Sequence, residues 1–283
     1  MSVKYLIIGA KGQLGGEFCR FYGDQALGID LPELDISSWL SVEDAFESIK
    51  PEAVINTAAY TKVDAAEQQP AICRKVNAYG PKYLAQACEK RNIPIVQFSS
   101  DYVFCGTGKR EPLTELDPVF PEGVYAKTKY EGEENVRAWR KHLILRTCGL
   151  YGQLGENTPG NFVQTMIRLG KAGRPLKIVN DQHCTPTYIP DLVRAAAFLL
   201  GRELWGTYHT TNSGATTWFD FAREIFRLED LKFEAEGITT EQWGAPSPRP
   251  LYSVLNISKY LATGAPEMPA WQDALKRYLG RRV

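Results

Sequence analysis

Lys4-Tyr5-Leu6-Ile7-Ile8-Gly9-Ala10-Lys11-Gly12-Gln13-Leu14-Gly15 is the stretch on which the fold turns. Its apolar run has no polar interruption, which suits a strand covered on both faces. It passes directly into glycines at 9, 12 and 15, and an amphipathic pattern over 14–22 follows. Strand, glycine turn and helix in that order make a dinucleotide site. The turn is tight, the backbone can approach a pyrophosphate, and the helix N-terminus faces its negative charge. Glycines also serve ordinary turns, so the loop draws its weight from its position at the head of an alternating chain. Gly9, Lys11, Gly12, Gln13, Leu14 and Gly15 are the candidate cofactor contacts.

The alternation continues outward from this unit. Strand-like apolar runs at 4–8, 25–29, 53–57, 94–98 and 143–146 are separated by helical patterns over 14–22, 42–49, 81–90 and 125–139. Ser41, followed by Glu43 and Asp44, reads as a helix start. Such alternation implies βαβ units and a parallel sheet. After about residue 150 the rhythm loosens. A loop at 155–160 is followed by a helix at 161–172, a strand at 176–179 and a helix at 191–200. A strand at 207–210, a helix at 218–227, a Pro-rich loop at 246–250 and a final helix at 270–279 complete the chain. The expected fold is α/β, a Rossmann-type doubly wound parallel sheet with a smaller C-terminal substrate-binding lobe. The expected division is a dinucleotide-binding domain over 1–150, with strands in about 176–200 returning to it, and a lobe over 151–283.

Composition narrows the function. The chain has 283 residues, with Lys+Arg and Asp+Glu equal at 33 each. A nucleic-acid binder shows a basic excess or stripe, so that class is disfavoured. Cys19, Cys73, Cys88, Cys105, Cys148 and Cys184 are scattered, without Cys-x-x-Cys and without a His cluster. Reduced thiols fit better than a disulfide frame or a metal site. The amino-terminal run, M-S-V-K-Y-L-I-I-G, is too short for a signal peptide or a membrane span. A cytoplasmic protein without metal or membrane attachment is expected.

The candidate site residues lie where strands end. Asp30, about 20 residues after the glycine loop, suits an adenosine ribose hydroxyl and NAD, whereas Lys11 suits a 2′-phosphate and NADP. Both cofactors stay open. Asp35-Ile36 either flanks the adenine or forms a turn before the next helix. Ala58, Ala59 and Tyr60 follow the third strand, where small residues admit a cofactor or close helix packing. Phe98, Ser99, Ser100 and Asp101 end the fourth, the edge at which open α/β sheets hold ligands. Tyr125 and Lys129 are four apart in a helical stretch, so they share a face. With 14 Tyr in the chain, about one Tyr-x-x-x-Lys arises by chance, so the pair needs this context. A free phenol titrates at about pH 10. A fixed ammonium beside it favours phenolate and brings it toward working pH.

In order, the glycine loop, Asn56-Thr57-Ala58-Ala59, Ser100 at a strand end and Tyr125-x-x-x-Lys129 resemble the extended short-chain dehydrogenase/reductase family. The likeness extends through A-A-Y-T-K-V-D-A-A-E (58–67), S-S-D-Y-V-F (99–104), I-L-R-T-C-G-L-Y-G (144–152), N-F-V (161–163), D-Q-H-C-T-P-T (181–187), T-T-W-F-D-F-A (216–222) and R-P-L-Y-S-V-L (249–255). These stretches point to its members that reduce dTDP-linked 4-keto-6-deoxy sugars to precursors of surface polysaccharide. The resemblance implies NADPH or NADH as cofactor, Tyr125 as acid/base, Ser100 as its hydrogen-bonding partner and Lys129 on the nicotinamide ribose. It also implies Phe98 beside the cofactor, Ser100 and Asp101 facing the sugar, and the nucleotide end in the later lobe. A homodimer is compatible with it.

Related dehydratases carry Thr-Asp-Glu where this chain has Ser100-Asp101-Tyr102. The eliminating glutamate is absent, which favours plain carbonyl reduction. Gly149 stands where the family has Trp, and His183-Cys184 alters another substrate segment. These departures bear on the sugar more than on the reaction. Gly149, Asn161, His183 and Arg249 are candidate substrate contacts; Asn161 also reads as a helix cap, and Arg249 as either a diphosphate partner or a surface charge. Aromatics at 218, 219, 221 and 226 read as core spacing. An epimerase or a reductase for another sugar, and a silent regulatory subunit on the same fold, remain alternatives.

Overall fold

The computed structural model describes residues 3–280; Met1 and Ser2 of the amino-terminal run lie outside them. Six parallel strands form the central sheet: β1 (Tyr5–Ile8), β2 (Ala26–Ile29), β3 (Ala53–Asn56), β4 (Ile95–Ser100), β5 (His142–Thr147) and β6 (Gly206–His209). Their order is β6-β5-β4-β3-β1-β2, every neighbouring pair parallel. The chain runs one way from β1 to β2 and the other way from β3 onward. That reversal opens a crevice at the carboxyl ends of β1 and β3, the place where doubly wound sheets bind ligands.

Strand alternation sends side chains to two cores. Ile7, Ile55, Val96, Phe98, Leu143 and Leu145 pack on one face with Leu14, Phe18 and the helix Ile189–Gly201. Leu6, Ile8, Val54, Ile95 and Ile144 pack on the other, against Phe46, Leu84, Cys88 and Val136. Continuous apolar strands are what this double burial requires.

Local signals moved some boundaries. The second helix begins at Trp39, capped by Ser38, whose hydroxyl accepts the Ser41 N–H at 3.4 Å. Ser41 lies inside that helix, and its hydroxyl accepts the Asp35 N–H at 3.0 Å. The expected cap was one turn late because Ser38 offers the same chemistry earlier. Of the segment 176–200, the helix Ile189–Gly201 returns to the sheet, but the strand Leu176–Val179 does not. It pairs with Ala235–Ile238 in a separate two-stranded ribbon. That ribbon caps a third core built from Tyr151, Val163, Ile178, Tyr188, Phe221, Phe226, Trp271 and Tyr278. Among the described residues no helix is long and apolar enough to cross a membrane. All six cysteines are free thiols.

Candidate active site

The glycine loop is shaped by contacts that exclude any side chain. Gly9 has φ +81°, and a Cβ there would stand 2.7 Å from the Ala58 nitrogen. A Cβ on Gly15 would stand 2.2 Å from the Gly9 carbonyl oxygen. The helix Gln13–Tyr22 therefore starts against the turn and presents its free N–H groups at the crevice. The residues fit a pyrophosphate: backbone close at hand, helix N-terminus behind. Asp30 accepts the Lys11 N–H at 3.0 Å and the Leu31 N–H at 2.8 Å, so the acid braces the loop itself. Ala58 is held by Asn56, whose side chain accepts its N–H. Asn77, on a widened helical turn at Lys75–Tyr79, accepts the Tyr60 N–H and donates to the Tyr60 carbonyl.

Two expected cofactor contacts also have structural partners. Ile36 is a core residue packed over Gly80, and Asp35 closes a turn by accepting the Ser37 N–H. The turn reading of Asp35 is present in the structure, its carboxylate satisfying a local amide. The loop 155–160, read only as a connection, lies over the glycine turn. Asn157 donates to the Lys11 carbonyl at 3.0 Å, and a Cβ on Gly155 would meet that oxygen at 2.3 Å.

Ser100, Tyr125 and Lys129 come together at the ends of β4 and the helix Gly123–Arg137. The Ser100 hydroxyl donates to Asp101 at 3.0 Å and accepts the Tyr102 N–H at 3.2 Å. It also acts on the Tyr125 phenol, in the direction that favours phenolate. Tyr125 is half-buried, with its ring edge-on to Tyr102 at 5.4 Å. Lys129 is buried one turn along the same helix, donating to the Phe98 carbonyl at 2.6 Å.

The electrostatics correct one expectation. Burial pushes the Tyr125 phenol above its ordinary value, and the group pulling it back is the Ser100 hydroxyl rather than Lys129. Burial lowers the Lys129 ammonium to about 8, opposed by Glu133 and Cys73. Asp101 is held as well. It is buried, accepting the Ser253 hydroxyl at 2.6 Å as well as Ser100, and desolvation raises its pKa. It braces the Ser100 hydroxyl.

The start of the tyrosine helix explains the acids in 58–67. Glu67 accepts the Val124 N–H at 2.8 Å and the Ser247 hydroxyl at 3.0 Å, supplying the cap that Glu122 does not. Asp64 pairs with Arg249 at 2.8 Å. Arg249 is thus neither a surface charge nor free. Its guanidinium lies between the rings of Tyr102 and Trp243, at 5.8 and 5.6 Å.

Arg249 and Tyr102 open onto a cavity of about 340 Å³, walled further by Phe162, Gln182, Trp218 and Trp243, with Lys177 at its side. Gly149 explains how the wall is built. It has φ +53°, and a Cβ there would meet the Trp218 ring at 2.9 Å. An indole from another element packs directly against this glycine. Trp218, read as core, is a half-buried cavity wall stacked near Phe162. Asn161 caps the helix Phe162–Lys171 through the Gln164 N–H and donates to the Gly152 carbonyl, so its side chain is spent on structure. His183 is pinned by backbone bonds to Leu251 and Ser253, its ring beside Tyr252; its neighbour Gln182 lines the cavity instead.

A doubly wound sheet with a glycine-lined crevice and a Ser, Tyr and Lys converging beside it defines an extended short-chain dehydrogenase/reductase. The comparisons narrow this class. The family described as the RmlD substrate binding domain matches residues 3–283, and the chain belongs to it. A dTDP-4-dehydrorhamnose reductase of Streptomyces griseus is 38% identical over 96% of this chain and 91% of its own. The crystal structure of one from Clostridium acetobutylicum superposes with a TM-score of 0.93 at 42% identity, covering 98% of each chain. One from Bacillus anthracis, in complex with NADP, gives 0.94 at 35% identity over the whole of both chains.

Proposed function

We infer that this chain is a dTDP-4-dehydrorhamnose reductase, using NADPH or NADH to reduce the 4-keto group of dTDP-6-deoxy-L-lyxo-4-hexulose to dTDP-L-rhamnose. The observation that carries this reading is the meeting of Ser100, Tyr125 and Lys129 at the carboxyl end of β4, with Tyr125 edge-on to Tyr102, which in turn lines the cavity that holds Arg249. The nicotinamide, when bound, supplies a hydride to the ketone carbon. Tyr125 gives its proton to the ketone oxygen, which leaves an alcohol and a phenolate. A phenol raised by burial is fully protonated at neutral pH, the form a reduction needs. Ser100 holds that phenol in place, and Lys129, charged through neutral pH, steadies the phenolate and binds the nicotinamide ribose.

Gly9, Gly12 and Gly15 admit the pyrophosphate, with Lys11, Gln13 and Leu14 around it. Arg249 and Lys177 face the sugar nucleotide's diphosphate, and the aromatic wall takes its base. The relatives' names, the familial motifs and the cavity's mixture of rings and cations support this assignment. A homodimer in the cytoplasm is part of the same proposal, tested by light scattering and by fractionation. The main test is nicotinamide absorbance with the dTDP-keto sugar. Stoichiometric loss of NADPH or NADH is expected. Conversion without net loss would mark an epimerase, and binding without turnover across several keto sugars would mark a silent subunit.

A further inference from the structure

Beneath Lys129 lies a charged pair that no step above uses. Glu133 follows Lys129 by one turn on the same helix, and both side chains are buried. Glu133 is held bidentately by Arg146 of β5, at 2.9 and 2.7 Å, and Arg146 is itself buried. Arg137 reaches Glu133 from the surface at 3.2 Å. The Arg146 guanidinium also lies 5.0 Å from the centre of the Phe104 ring, which fixes it from the other side.

Such a pair costs desolvation, and well-packed apolar residues often do the structural task as well. Its position suggests another use. Among the described residues Lys129 has no carboxylate within ion-pair distance; its ammonium donates to the Phe98 carbonyl. The titratable groups acting on it are Glu133 on its own helix and Cys73 from the helix Pro70–Arg74; Tyr125 lies one turn before it, and Arg146 is bonded to Glu133. Glu133 is the largest influence keeping Lys129 protonated against burial.

We propose that Glu133 is a positioning residue that keeps Lys129 cationic, and that Arg146 holds the carboxylate in the place from which it acts. This rests on the reading of Lys129 as a working residue of the reductase. The ion pair attenuates the carboxylate's field without cancelling it: Glu133 lies one turn from Lys129 on the same helix, whereas Arg146 reaches the carboxylate from β5. An unpaired carboxylate at that depth would itself pick up a proton and lose its effect. Charge on Lys129 matters toward the dinucleotide, since a neutral amine neither attracts its phosphates nor steadies a tyrosinate.

The test reads Lys129 directly, by NMR titration of its labelled side chain in the full chain without cofactor. Wild type is expected to titrate at about 8. In Glu133→Gln/Arg146→Gln, a neutral pair that can still hydrogen-bond, the midpoint should fall by about 1 pH unit. In Glu133→Gln alone it should fall further, because the Arg146 cation is then uncompensated. If that single variant does not fold, the double variant decides. A second readout is dinucleotide affinity of the double variant, expected to drop several-fold at pH 8 and to recover at pH 6, where Lys129 is charged again. A folded double variant with the wild-type midpoint would overturn the proposal, as would an affinity loss that pH does not restore. The two readings fail separately. Lys129→Met with intact turnover would remove Lys129 from catalysis, yet leave the effect of Glu133 on its titration untouched.

Discussion

The two ends of the crevice are built on opposite plans. On the sheet side, the site is made by short-range geometry: a glycine turn after one strand, a hydroxyl at the end of another, and a Tyr and Lys one turn apart. On the lobe side, no two neighbouring residues suffice. Tyr102, Phe162, Gln182, Trp218, Trp243 and Arg249 come from six separate segments and meet around one cavity. Regular elements hold reacting groups rigidly, as proton transfer needs. Assembled walls are sensitive at single positions, as where the Trp218 ring packs against Gly149. Reaction type should therefore be robust to change in the lobe, and substrate choice robust to change at the sheet edge.

The sharpest way to break that contrast is Tyr125→Phe. It removes the phenolic hydroxyl that gives the proton and leaves the ring against Tyr102, so kcat should fall about 10³-fold while cofactor affinity, read by fluorescence titration, changes less than about twofold. A near-normal rate would take the chemistry away from the sheet side. Next comes Gly149→Trp, which forces a large ring into the space of Trp218 and should cost about 3 kcal/mol in denaturant unfolding. Adding Trp218→Ala should recover most of that loss; additive destabilisation would show that the two positions do not share one space.

Arg249→Ala tests the joint between the two sides. It removes a guanidinium bonded to Asp64 and stacked on two rings, so KM for the dTDP-sugar should rise about 10-fold or more, with kcat less affected. An unchanged KM would leave Arg249 a purely structural clasp. Gentlest per pH unit is the effect of His209, fully buried at the sheet end and held near 3 by desolvation and by Arg146. Its folded pKa lies below the ordinary 6.5, so the unfolded chain binds the extra proton first. Stability is then lost as pH falls from about 6.5 toward 3, by about 1 kcal/mol per pH unit from this group. His209→Gln should flatten the slope of unfolding free energy between pH 6 and 4; an unchanged slope would assign acid sensitivity to the carboxylates.

Legibility followed the same division. The sheet, its strands and the Ser100, Tyr125 and Lys129 constellation could be read because period, spacing and turn chemistry are local properties of the chain. The strand 176–179 was recognisable, but not its pairing with Ala235–Ile238, a contact across nearly sixty residues. Asn161 carried both a cap signal and a binding resemblance, and only packing showed that both ends of its amide are used. Glu67 gave no sign of capping the tyrosine helix, since its partner amide is 57 residues away.

By itself, the order of residues determined a nucleotide-binding α/β chain with a tyrosine and a lysine on one helical face, because backbone sterics and a 3.6-residue repeat act over a few residues. Tertiary structure alone decided that Asp101 is buried, that Trp218 packs over Gly149, and that Glu133 is held by Arg146 one turn from Lys129. Burial and charge depend on what distant segments bring near, and no local pattern carries that information.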